Sequence, residues 1–292
     1  MNVLSLFDGM SCGQIALERL GIPVKNYFAS EIKKSAINVT KFNYPNTIHI
    51  GDVHNVSYKD GYLIIGDKMK YVGKIDLLIG GSPCQDFSFL KSSYHKKEGY
   101  GLDGPKSKLF FEFDRLRKEC NPTYFLLENV KMKKESELIL NEYLGVTGLH
   151  INSRLVSAQN RQRIYWTNIN NITKPIDKNI LLKDILETNY LILDKYRVNK
   201  TPSRDKMWYG GKCKNITNED KSSCLTTKMD RWNNAGLIEF DDYCRFLTIT
   251  ECERLQTVPV GYTSSLSRTE SYDVLGDGWT VDVIAHILSF IK

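Results

Sequence analysis

The chain has 292 residues, 41% hydrophobic and 25% charged, with a formal net charge of +6. That length supports one large domain or a domain with a smaller second lobe, and the modest positive balance permits a polyanionic partner without demanding one. Seven cysteines with no C-x-x-C pair and no histidine ladder nearby argue against a zinc site or a disulfide framework, and no segment reaches the ~18 apolar residues of a membrane span.

The odd cysteine count and the lack of a signal-peptide pattern near Met1 lead us to expect a soluble, cytoplasmic protein. Residues 3–7 (VLSLF) read as a short apolar strand running straight into Asp8, Gly9, Met10, Ser11, Cys12 and Gly13. An amphipathic stretch with Ile15, Leu17 and Leu20 follows and stops at Gly21, so strand, glycine turn and helix open a nucleotide-binding βαβ unit. A second strand, residues 27–29, ends at Glu31, and a third, residues 47–50, ends in Gly51 and Asp52. Carboxylates at two successive strand ends suit ribose hydroxyls and an adenine amine, and they repel phosphate. The turn lacks the lysine of a phosphate-binding loop. S-adenosylmethionine, an adenosine ligand without phosphates, fits this pattern better than a nucleoside triphosphate or a dinucleotide.

Residues 75–79 form an apolar run broken by Gly80 and Gly81 before Ser82, Pro83 and Cys84. This is the pattern of a strand buried on both faces and ending in a sharp turn, and ligands of open α/β sheets lie beyond such strand ends. Cys84 precedes the polar pair Gln85 and Asp86 and is the candidate nucleophile. On this stretch alone a small core hydrophobe is an equal alternative. A polar loop, residues 91–104, has the length of a lid, and residues 109–116 read as a helix whose Phe110, Phe111 and Phe113 face the sheet. Residues 124–127 form another buried strand, closing with Glu128 and Asn129 on the same sheet edge as Cys84. A carboxyl beside apolar neighbours there suits a general acid.

A helix over residues 136–144 and a strand over 151–156 come next, and then Gln159, Arg161 and Arg163 alternate, which places them on one face of an extended segment. Between residues 169 and 242 asparagine, lysine and threonine become common, and Thr226, Thr227, Lys228, Arg231 and Trp232 combine cations, hydroxyls and an aromatic ring. This stretch reads either as a small basic lobe contacting nucleic acid or as an ordinary solvated insertion. Helical periodicity resumes after Thr250, the expected N-cap, and Gly276 to Trp279 (GDGW) leads into a last amphipathic helix over residues 281–291.

In this order the motifs resemble those of the C5-cytosine DNA methyltransferases along nearly the whole chain. FDGMSCG (7–13) resembles the family's cofactor turn, SPCQDFS (82–88) its nucleophile loop, ENV (128–130) its acid, QNRQR (159–163) its arginine motif, RFLTITECERLQ (245–256) its bracing helix and GDGW its last motif. Ser11 and Cys12 stand where the usual F-x-G-x-G-G turn has its last two glycines. That departure, the LFFEF string at 109–113 and Trp279 are similar to the de novo vertebrate subgroup; Asp277 replaces a common asparagine.

The resemblance implies a Rossmann-like α/β methyltransferase fold, with a mixed, mostly parallel seven-stranded sheet and a small target-recognition lobe. It implies a catalytic and cofactor domain over residues 1–168, a recognition domain over 169–242 and a return to the catalytic domain over 243–292. It implies S-adenosylmethionine contacts from Phe7, Asp8, Gly9, Met10, Cys12, Glu31, Ile32, Asp52, Val53, Pro83, Leu109, Asp277, Gly278 and Trp279. Catalysis would fall to Cys84, Glu128, Arg161 and Arg163, and DNA contact to Ser88, Thr226, Thr227, Lys228 and Arg231. The expected partner is double-stranded DNA, in a bacterial or phage setting, with no membrane and no obligate protein partner. Two rivals remain at this stage: a transfer RNA methyltransferase of the same family, whose C-F-T string is not matched by SCLTTKMDR (223–231), and an inactive homologue that binds without reacting.

Overall fold

The computed structural model describes residues 1–82, 109–234 and 236–292. In chain order the elements begin with β1 (Asn2–Leu6), α1 (Cys12–Arg19), β2 (Asn26–Ser30), α2 (Lys34–Asn43), β3 (Ile48–His49), β4 (Val56–Lys59), β5 (Tyr62–Ile65), β6 (Lys68–Tyr71) and β7 (Leu77–Gly81). Then come α3 (Leu109–Cys120), β8 (Tyr124–Val130), α4 (Lys134–Leu144), β9 (Leu149–Asn152), β10 (Gln159–Asn160), β11 (Gln162–Thr167), α5 (Leu182–Ile185), α6 (Tyr190–Leu193), β12 (Arg197–Asn199) and α7 (Pro202–Tyr209). The last are β13 (Lys214–Asn215), β14 (Ser222–Ser223), β15 (Gly236–Glu239), β16 (Tyr243–Phe246), α8 (Ile249–Leu255), α9 (Arg268–Asp277) and α10 (Val281–Leu288). These elements form two compact units, residues 1–151 with 162–174 and 285–292, and residues 152–161 with 175–284.

The first unit is built on a seven-stranded sheet of order β3-β2-β1-β7-β8-β11-β9. Its pairings from β3 through β8 are parallel, and β11 runs antiparallel to β8. This is the mixed, mostly parallel sheet expected of the α/β class. β1 and β7 are buried along almost their whole length because helices cover both faces, which is why they read as unbroken apolar runs. On α3 the spacing of Phe110, Phe113 and Leu116 brings all three to the core, where none is exposed. Gly13 lets α1 approach the sheet closely: a Cβ there would lie 2.2 Å from Ile79 Cδ1 and 2.9 Å from the Tyr27 hydroxyl.

Three details depart from the sequence reading. Between Asp52 and β7 the chain forms a small antiparallel sheet, β4-β5-β6, that the reading passed over. Its signal was present, since Asp60 and Gly61 both take positive φ at the first turn and Gly66 precedes Asp67 at the second. The strand expected over 151–156 stops at Asn152, whose side chain accepts from the Arg154 amide and turns the chain into a 3-10 turn over Ser153–Leu155. The last helix cap of the reading also moves: Thr248, not Thr250, caps α8. Its hydroxyl accepts from the Glu251 amide at 3.1 Å while the Glu251 carboxylate accepts from the Thr248 amide at 2.8 Å.

The second unit contains a four-stranded sheet of order β12-β16-β15-β13 and the short parallel pair β10-β14. Arg245 of β16 forms a two-pronged ion pair with Glu251 of α8, both contacts 2.8 Å, with the two side chains 2% and 0% exposed. Glu253, on the same helix, accepts from the amides of Gly261 and Thr263 and from the Thr263 hydroxyl.

Candidate active site

At the carboxyl end of β1 the turn toward α1 has three residues at positive φ, Phe7, Gly9 and Ser11. Ser11 occupies a left-handed conformation that glycine adopts at no cost. Here the serine is held by its side chain, which donates to Asp8 and accepts from Gln14 Nε2 and Thr40 Oγ1 at 3.3 and 3.2 Å. Asp8 also accepts from Ser5 at 2.6 Å and Tyr27 at 2.8 Å. Its carboxylate therefore faces a set of internal hydroxyls, and burial pushes its pKa up to about 6 although those donors pull it down.

Glu31 follows β2. One of its oxygens accepts from the Gly9 amide and the other from the amides of Ile32 and Lys33, all at 2.8 Å. These bonds set the carboxylate over the turn, and Ile32 beside it is 70% exposed. Asp52, after β3, accepts from the His54 amide and contacts the His54 ring at 2.7 Å, and these bonds hold its pKa below the usual carboxylate value. Met10, Cys12 and Val53 have buried side chains, so they offer a ligand only backbone. Phe7 and Leu109 pack against the core cluster of the first unit.

Two acids at neighbouring strand ends, an exposed aliphatic side chain beside one of them and a turn without lysine form a set of hydrogen-bond acceptors that fits an adenosine. It does not fit a phosphate. Pro83, Cys84, Ser88 and the expected lid over residues 91–104 lie outside the described residues.

Glu128 lies within β8 rather than past its end, because β11 pairs with the strand through Tyr165 opposite Glu128 and Arg163 opposite Val130. Arg163 Nε contacts Glu128 Oε1 at 2.8 Å, with the side chains 13% and 10% exposed, so a cation stands beside the carboxylate where apolar neighbours were expected. On the other side β7 pairs with β8 so that Gly81 stands opposite Glu128. Asn129 Nδ2 donates to Ser82 Oγ at 3.0 Å.

Gln159 and Arg161 are buried while Asn160 and Gln162 are exposed, the alternation expected of an extended segment. The chain breaks between β10 and β11 at Arg161, whose amide donates to Asn152 Oδ1. The Arg161 side chain belongs to the second unit, where it is 3% exposed and its two terminal nitrogens donate to the carbonyls of Leu225, Gly276 and Gly278 and to Cys224 Sγ. Gln159 accepts from the Leu225 amide and donates to Leu255 O and Gln256 Oε1, while Gln256 donates to Leu275 O and Gly278 O. These residues act as a brace for strand and helix ends, a role the reading missed because every partner is distant in sequence. Gly278 and Trp279 are buried in this unit and Asp277 is exposed. Of the expected DNA contacts, Thr226, Lys228 and Arg231 are exposed and Thr227 half-buried.

A family model described as C-5 cytosine-specific DNA methylase matches residues 1–292. The chain belongs to this family. Among curated relatives of this methylase, the type II methyltransferase M1.ScrFI of Lactococcus lactis subsp. cremoris is 29% identical over 97% of the chain and 76% of its own length. The orphan methyltransferase M.Rho11sI of Bacillus phage rho11s is 30% identical over 68% of the chain, which spans 36% of that relative. Two solved structures share the fold: the Entamoeba histolytica methyltransferase EhMeth, with a TM-score of 0.77 at 17% identity, covers 99% of the chain and 97% of its own. S. pombe Dnmt2 gives 0.72 at 18% identity, with the same two coverages.

Proposed function

We propose that this protein transfers a methyl group from S-adenosylmethionine to C5 of a cytosine in duplex DNA. The observation that carries the reading is the β7–β8 register, which sets the root of the SPC turn beside Glu128, itself paired with Arg163 of β11. Family membership over the full chain and relatives named as type II and phage orphan methyltransferases favour it over the transfer RNA and inactive alternatives.

When bound, S-adenosylmethionine supplies an electrophilic methyl group on a sulfonium. Glu31 would hold the ribose hydroxyls and Asp52 the adenine amine, with Ile32 against the base. C5 of cytosine is a weak nucleophile until C6 is attacked, so the Cys84 thiolate adds to C6 while Glu128 holds a proton at N3 and Arg163 steadies O2. Electron density gathers at C5, which takes the methyl group; loss of the C5 proton and departure of Cys84 restore the ring. Arg161 enters this scheme only as a brace. The base must leave the duplex to reach these groups, at a cost of a few kcal/mol.

The test is methyl transfer to plasmid DNA and to bulk transfer RNA, read by bisulfite sequencing, for the protein and its Cys84→Ala variant. The reading expects 5-methylcytosine in the plasmid with the wild type and none with the variant. Turnover by the variant, or methylation confined to transfer RNA, refutes it.

A further inference from the structure

Asp52 begins the turn after β3, and its carboxylate is bonded through one oxygen only. Oδ1 accepts from the His54 amide at 3.0 Å and meets His54 Nδ1 at 2.7 Å. An ionised carboxylate can only accept, so the ring nitrogen is the donor in this contact. The two donors fill the lone pairs of Oδ1, and among the described residues Oδ2 takes none. Both side chains stay open to a ligand, with His54 57% and Asp52 43% exposed.

The backbone that carries this pair is fixed on both sides of Asp52. Ser30 Oγ donates to Gly51 O at 2.8 Å, and Arg115 of α3 donates to Val53 O at 3.3 Å and to Val56 O at 2.8 Å. Arg115 is itself gripped by Glu112 at 2.6 Å and Glu119 at 2.7 Å. With the peptides tied down, the remaining freedom of Asp52 is the rotation of its carboxylate, and the His54 ring removes it. One oxygen is occupied and the other is presented as a bare acceptor. Adenine offers that oxygen a donor, the hydrogens of its 6-amine. Hypoxanthine, the same purine with oxygen at C6, offers an acceptor, so oxygen would face oxygen. A site built to bond one substrate group discriminates against the analogue that lacks it, because the site's own polar atom is left unpaired.

We infer that His54 is a positioning residue for the cofactor: its ring holds Asp52 so that Oδ2 receives the adenine 6-amine, and it thereby sets a preference for adenosine over inosine ligands. The inference rests on the assigned reaction, from which it takes S-adenosylmethionine as the ligand. His54, absent from the expected cofactor contacts, acts through Asp52 and not by touching the purine.

The experiment measures, by calorimetry, binding of S-adenosylhomocysteine and S-inosylhomocysteine to the wild type, His54→Ala and His54→Asn, with the melting temperature of each protein recorded. Asparagine can place an amide nitrogen where Nδ1 stands, so it keeps the donor and discards the ring. We expect the wild type to favour the adenosine ligand, His54→Ala to lose about 2- to 5-fold of that preference, the scale of an exposed charged contact, and His54→Asn to recover it. A His54→Ala variant that binds both ligands more weakly by the same factor, as a merely loosened turn would, overturns the inference. So does an unchanged preference, an asparagine variant that behaves like alanine, or a wild type that binds the two ligands alike. A wild type that binds neither ligand refutes the cofactor assignment itself, and the role of His54 falls with it.

Discussion

The two units each contain an arginine–glutamate pair, and the pairs are built for different ends. Arg245 and Glu251 meet through two contacts, are essentially unexposed, and Glu251 takes further bonds from the amides of Thr248 and Glu187. Arg163 and Glu128 meet through Nε near the end of β8, each about a tenth exposed, with Gly81 of β7 opposite Glu128. The same chemistry thus ties a strand to a helix in one unit and two strands to each other in the other, and the first pair is sealed from solvent where the second is not.

The comparison can be broken most sharply by the same substitution in both pairs. Glu251→Gln leaves Arg245 buried without its counter-charge and is expected to cost about 3–5 kcal/mol of stability in urea unfolding. Glu128→Gln leaves the mostly buried Arg163 without its partner and is expected to cost less than Glu251→Gln because the pair keeps some access to solvent, yet, on the proposed reaction, to slow methyl transfer by about 10²- to 10⁴-fold. Equal losses of stability from the two changes would erase the distinction.

Glycine approaches sharpen it next. A Cβ on Gly276 would lie 2.2 Å from the Thr226 carbonyl carbon and 2.3 Å from the Thr227 nitrogen, whereas one on Gly13 meets the end of the Ile79 side chain. Both alanine variants are expected to lose about 1–3 kcal/mol from overpacking. Gly276→Ala stands at the upper end because backbone cannot rotate away, and melting temperatures check the order.

A further effect concerns pH. Asp8 is raised by burial from 3.8 to about 6, so the folded protein keeps a proton there over a range in which the unfolded chain has released it. The contribution is present below about pH 4 and lost as pH climbs through about 6, a difference of at most about 3 kcal/mol. Unfolding of the wild type and Asp8→Asn across this range should show the wild type losing ground to the variant as pH rises. A flat difference would mean that the carboxylate is solvated.

Much of this arrangement was legible in the letters. Strands such as β1 and β7 announce themselves because both faces are buried, and Glu31, Asp52 and Glu128 could be placed at sheet edges by counting from those runs. Period-two spacing gives the alternation of buried Gln159 and Arg161 with exposed Asn160 and Gln162, but not their partners: the Arg161 guanidinium donates to carbonyls near positions 225 and 277. Contacts of that range leave no local trace. The β4-β5-β6 sheet has the opposite character: its Asp60-Gly61 turn is a local signal, but β6 is exposed throughout and shows no apolar alternation.

The Arg161 guanidinium fastens two distant stretches of the second unit at once. By tying the peptide before Thr226 to the end of α9, it anchors the root of the segment bearing Thr226, Lys228 and Arg231, while their side chains stay at the surface. Side chains at the tip can then be exchanged without disturbing the base on which they stand.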